Sequence, residues 1–200
     1  MGLSIFYSGK LRNVQQAPSL TMELLDLCGH LNWRCDEYQP TTRNPIQGMW
    51  FAPPGADRIW MTVLPSGVLA EPEHNLTQKG IEVWMKSSWK DNLMNPRTQY
   101  AGPEAHMKMI GILKHVSQKY FEKFHLVDES EFWETGNTEK CKDWFVMFEA
   151  WMSNMSSDLG KLDGRGYESG EHFQERLEDL LRNGKSIDDI LNVMGSPYRK

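Results

Sequence analysis

The chain of 200 residues, 40% hydrophobic and 24% charged, is long enough to bury one sizeable core without disulfide or metal staples. Its formal net charge of −5 disfavours a nucleic-acid binder, which needs a surplus of Lys and Arg to neutralise phosphates. No apolar run approaches the roughly 20 residues of a membrane-spanning helix, so no membrane segment is expected.

Leu3 to Tyr7 reads as a first strand, closed by Ser8-Gly9. After Pro18, residues Leu20, Leu24, Leu27, Cys28 and Leu31 recur at helical spacing, with Ser19 as the N-cap. Trp33 to Tyr38 reads as a strand. Met49 to Ala52 and Arg58 to Leu64 flank Pro53-Pro54-Gly55-Ala56-Asp57, which predicts a hairpin. Leu69 to Lys79 is polar and reads as loop, and Ile81 to Lys86 alternates as a half-buried strand does.

Gly102-Pro103-Glu104 opens a second helix whose apolar face is Met109, Ile110, Leu113, Val116 and Tyr120. Phe124 to Val127 reads as a strand, with Phe132 to Glu134 as its partner. From Thr138 a third helix sets Cys141, Trp144, Phe145, Phe148, Met152, Met155 and Leu159 at steps of three and four. Gly160 to Gly170 reads as a linker. The amphipathic stretch from Phe173 to Met194 predicts a small helical hairpin, too short to hold a core alone. Helix, strand and an Asp-Glu pair follow one another twice, ending at Asp36-Glu37 and Asp128-Glu129, as a duplicated strand–helix–strand–strand unit would produce.

Three cysteines, Cys28, Cys35 and Cys141, form no CxxC pair, which excludes a zinc knuckle and a thioredoxin-like motif. Cys28 and Cys141 fall on apolar helical faces, where a small buried thiol is the usual reading. The opening MGLSIFYSGKLRN lacks the basic start and long apolar run of an export signal. Phe6 stands where N-myristoylation needs Ser or Thr. The expected compartment is the cytoplasm. Eight Trp and twelve Met serve cores and binding surfaces alike, and core is the expected use.

Functional groups concentrate between residues 97 and 137. Gln99, His106, Asp128, Glu129 and Glu134 form the candidate site. His106 precedes Met109 and Ile110 by one helical step, so it shares their core-facing side. An imidazole oriented by a carboxylate there suits a base or a metal ligand, and His106, Asp128 and Glu129 would suit a hard divalent ion or non-haem iron. Equally, such a His can be a hydrogen-bonded core residue, and strand alternation would turn Asp128 and Glu129 to opposite faces. Gly184-Lys185-Ser186 is no phosphate loop, because Asp179 replaces its first Gly. HExxH, GxSxG and GxGxxG are absent, so no cofactor motif is present.

The series Thr98-Gln99-Tyr100-Ala101-Gly102, His106, Asp128-Glu129 and Phe132-Trp133-Glu134-Thr135-Gly136-Asn137 resembles a family of uncharacterised bacterial proteins. Their pattern is TQ(F/Y)AG, a His four residues on, a helix, then a DEGGYWETGD-like strand end. The resemblance covers about residues 80–160, implies a bacterial origin and imports no activity. Ser130-Glu131-Phe132 replaces the family's paired glycines and Tyr.

The expected fold is α+β: a mainly antiparallel sheet covered by three helices in a core of residues 1–160, with residues 161–200 as linker and helical-hairpin appendage. The leading functional reading is a non-catalytic binding or protein-interaction module that meets a protein partner or a second copy of itself through 161–200. A metal-assisted hydrolase built on His106 and nearby carboxylates is the alternative, and a small-molecule sensor lined by Trp and Met is a third.

Overall fold

The computed structural model describes residues 3–41, 45–72 and 88–162, and it has the expected α+β architecture. The chain divides into two compact units, residues 1–145 and 146–200. The first holds strands β1 (Ile5–Leu11), β2 (Arg34–Tyr38), β3 (Gln47–Ala52), β4 (Ile59–Val63) and β5 (Phe121–Asp128). Its helices are α1 (Ala17–Leu31), α2 (Pro103–Tyr120), the single turn α3 (Phe132–Thr135) and the start of α4 (Thr138–Leu162). In the second unit, described through residue 162, the rings of Phe148 and Trp151 lie 6.2 Å apart along α4. The expected strand at Ile81 to Lys86 and the hairpin at Phe173 to Met194 lie outside the described residues. Among the described residues no helix is long and apolar enough to cross a membrane.

All strand pairing is antiparallel, in a β1–β5 pair and a β2–β3–β4 sheet. Two irregular segments stitch these together. Residues 67–70 run between β4 and β1, where Leu64 N–H donates to the Val68 carbonyl and Leu69 N–H to the Gly9 carbonyl, each at 2.9 Å. Residues 94–98 run along the first half of β1, where Tyr7 and Met94 exchange backbone bonds of 3.0 and 2.9 Å. The Tyr7 hydroxyl donates to the Trp60 carbonyl at 2.9 Å, and burial pushes its pKa far up. β1 therefore sits centrally with both edges occupied.

Helix α1 packs on β2 and β3, and α2 on β5, around a core that includes Leu20, Leu24, Phe51, Met61, Met109 and Leu113. Burying a Leu or Phe side chain contributes about 1.5–3 kcal/mol, several times any helix propensity difference. Packing of the 20/24/28 stripe, not propensity, therefore fixes α1.

Three local expectations are corrected. Ser8-Gly9 does not close the first strand; β1 continues to Leu11. A Cβ at Gly9 would come within 3.0 Å of the Phe121 and Phe124 rings and the Lys123 carbonyl, so the missing side chain is what lets β5 pair there. Ser19 is not the N-cap of α1, which begins two residues earlier on a 3₁₀ turn at Val14–Gln16, where Asn13 Oδ1 accepts from Gln15 N–H at 2.9 Å. Phe132 to Glu134 is helical, not a strand. The Asp128 carboxylate accepts from Ser130 N–H and Trp133 N–H at 2.9 and 3.0 Å and so caps a helical turn. The second half thus supplies no second strand for a duplicated unit among the described residues.

Candidate functional site

His106 lies one turn into α2, which opens at Pro103 after Gly102, whose φ of 77° suits glycine. That placement aims the ring at the end of β5. Its Nε2 is 3.2 Å from Asp128 Oδ1 and 3.0 Å from Ser130 Oγ, and its Nδ1 is 2.9 Å from Thr98 Oγ1. The side chains of His106 and Asp128 have no exposed surface. The Phe145 ring of α4 closes over the imidazole edge-on, with centroids 5.5 Å apart.

The hydrogen-bond inventory accounts for every partner. Thr98 spends its own O–H on the Leu3 carbonyl at 3.2 Å, so it offers Nδ1 a lone pair and Nδ1 carries a proton. Ser130 O–H lies 2.9 and 3.0 Å from the two Asp128 oxygens, which also take the two backbone N–H groups of the α3 turn. Burial raises the Asp128 pKa, but hydrogen bonding and charge from His106, with the N–H and O–H of Ser130, outweigh it and hold the carboxyl below its ordinary range. Burial pushes the neighbouring Cys141 thiol up, against an opposing hydrogen bond to Ser130.

This geometry differs from that of a hydrolytic triad. A triad sets its acid on one imidazole nitrogen and its nucleophile on the other. Here Asp128 and Ser130 share Nε2, and Thr98, already committed to Leu3, holds Nδ1. The network ties together the start of α2, the end of β5, the α3 turn and the 94–98 segment. Glu131 enters that turn with φ 59°, in the left-handed region.

Of the five residues expected to form a site, the structure brings together His106 and Asp128. Glu129 turns away, and its Oε2 accepts from Ser4 N–H at 2.6 Å. Glu134 is exposed on α3, and Gln99 is half-buried with its Oε1 enclosed and unpartnered among the described residues. Among those residues no three His, Cys, Asp or Glu side chains are grouped as metal ligands are. Thr98 and Ser130, the remaining partners of His106, were missed; the one signal for Ser130 was its place two after an Asp, where a short side chain bonds local backbone.

No family model, curated protein or solved structure matches the chain.

A second constellation lies on the surface, where sequence reasoning saw only a hairpin. Asp57, Arg58, Trp60, Glu71, Met94, Asn95 and Pro96 line a cleft of about 220 Å³. The Arg58 guanidinium lies over the Trp50 ring at 4.7 Å and the Trp60 ring at 5.7 Å, and these two rings meet edge-on at 6.4 Å. Cross-strand pairing of Trp50 with Trp60 sets both on the same face of the β2–β3–β4 sheet. At one rim Asp57 accepts from Arg97 Nε at 2.9 Å and Arg97 N–H at 3.1 Å, bonds that hold its carboxyl below the ordinary range.

Proposed function

We propose that this chain is a non-catalytic binding module that engages a partner protein through the face carrying Trp50, Arg58 and Trp60. The supporting observation is the size and lining of the cleft. At about 220 Å³ it falls below the roughly 300–1,000 Å³ of pockets that enclose a whole small molecule. It has room for a side chain or a chain tip. Arg58 is exposed at the cleft and stacks on half-buried Trp50 and buried Trp60, and Trp and Arg are over-represented among residues that carry binding energy between proteins. The His106 network supports the same reading, because its groups are enclosed and committed to one another.

The test follows the indole N–H signals of Trp50 and Trp60 in ¹H–¹⁵N spectra while a pool of short peptides and a pool of metabolites are added separately. Shifts at these signals with peptides alone are the expected result. Saturable shifts with a metabolite would replace this reading with a small-molecule sensor, and turnover of any added compound would replace it with an enzyme. Deleting residues 163–200 is the companion experiment, since the contact expected through 161–200 would be lost with them.

A further inference from the structure

Strand β5 pairs with β1 along one edge. Along its other edge, no backbone or side-chain hydrogen bond involves residues 122–127 among the described residues. A free strand edge is a row of donors and acceptors ready to pair with another chain. Its two faces differ. The register sets Phe6 opposite Val127, Ser8 opposite His125 and Lys10 opposite Lys123, so these six share the outer face, which is exposed at Lys123, His125 and Val127, half-buried at Phe6 and Lys10 and covered at Ser8. Lys123 and His125 are exposed, and neither they nor Lys10 has an acidic partner among the described residues. On the inner face, Phe124 is half-buried with its ring 6.0 Å from that of Trp133, which is also half-buried.

An exposed Lys on an edge strand has an ordinary explanation, since it discourages unwanted pairing. That explanation does not extend to Lys10. Two like charges directly opposite each other on one sheet face repel, and a fold with no use for them would gain by replacing either. In a chain of net charge −5 this basic strip is local.

We infer that the free edge of β5 accepts an extended partner segment in which acidic residues alternate with apolar ones. Added as a strand, such a segment sets its acids beside Lys123 and His125 on the outer face and its apolar residues beside Phe124 and Trp133 on the inner face. Backbone bonds supply affinity and the alternation supplies specificity. A second copy of β5 fits poorly. Antiparallel self-pairing about Phe124 sets Lys123 beside His125 twice and gives neither an acid, and pairing about His125 sets Glu122 against Asp128. Two Lys and a His also fall short of the roughly four to eight basic residues of an anionic-membrane site, or the six to ten phosphate contacts of a typical duplex binder. The inference uses β5 with its neighbours Lys10 and Trp133 and none of the cleft residues, so its outcome is independent of the Trp50–Trp60 cleft.

The probe is a fluorescent eight-residue peptide alternating Glu and Val, titrated into the full chain and followed by anisotropy, beside a Lys-Val peptide and an N-methylated Glu-Val peptide. Saturable binding of the Glu-Val peptide alone is expected, with new amide-exchange protection at residues 122–127. Lys10→Glu and Lys123→Glu together should weaken it on the order of tenfold; circular dichroism of the variant checks that it folds. Equal binding of the Lys-Val peptide, equal binding of the N-methylated peptide, or no saturable binding by the Glu-Val peptide would each overturn the proposal.

Discussion

Nε2 of His106 lies 3.2 Å from Oδ1 of Asp128, and neither side chain reaches solvent. A hydrogen-bonded couple enclosed in this way acts as a unit: complete, it locks four chain segments; missing one member, it leaves an uncompensated polar group in a place water cannot reach. Thr98 and Ser130 complete it. Replacing Ser130 with Ala removes one hydroxyl that Asp128 and His106 share, and Thr98→Val leaves Nδ1–H unpaired with little change of shape, while the Leu3 carbonyl keeps the Thr98 N–H at 2.8 Å. Each is expected to cost about 1–3 kcal/mol in urea unfolding, with the two losses combining non-additively because both act through one ring.

Glu23 predicts the acid limb of stability. Its carboxylate accepts from Lys119 at 2.8 Å, His115 at 2.7 Å and the Tyr120 hydroxyl, joining α1 to α2. These bonds, led by that of Lys119, lower its pKa to about 2. A carboxyl whose pKa falls on folding contributes stability above its unfolded value, near 4.5, and loses it as pH drops towards 2. The difference in unfolding free energy between wild type and Glu23→Gln should therefore be flat above about pH 5 and shrink below it. Urea titrations at stepped pH would show this, and a constant difference down to pH 2 would contradict it.

Two glycines should respond to Ala in opposite directions. Gly55 turns the β3–β4 hairpin with φ 80°, and a Cβ there would lie 2.1 Å from the Tyr100 carbonyl oxygen, a backbone atom that cannot step aside. Gly55→Ala is expected to cost at least about 2 kcal/mol. Gly111 lies on the exposed side of α2 with nothing within 4 Å of its added Cβ. Gly111→Ala should stabilise by about 0.5–1 kcal/mol, because it only restricts the unfolded chain. Thermal melts of the two variants beside wild type read out both signs.

Periodic elements were legible because their signals are local. The spacing of Leu20, Leu24 and Cys28 marked α1, and Gly102-Pro103 marked the start of α2 to the residue. The stripe from Cys141 to Phe145 marked the buried side of α4. Where two local signals compete, the stronger one sets the structure. Phe132 and Trp133 carry strand propensity, yet a cap from Asp128 decided for a helix. His106 could be singled out by its face of α2, and Asp128 by its place at a strand end. Their convergence, and the divergence of Glu129, depends on the β1–β5 register, which no short window contains. The cleft was illegible for the same reason: residues 57, 58, 60, 71 and 94–96 meet only after β4 is stitched to β1.

The proposed binding-module reading requires that His106 serve the fold through its buried contact with Asp128 and not a catalytic metal. It is tested most directly by urea unfolding of metal-stripped wild type and His106→Gln, each with and without added Mn²⁺. The account predicts a loss of about 3–5 kcal/mol in the variant, as for one member removed from a buried pair, and the same values with and without the ion. A variant as stable as wild type, or a stabilisation by Mn²⁺ that wild type shows and the variant lacks, would contradict it.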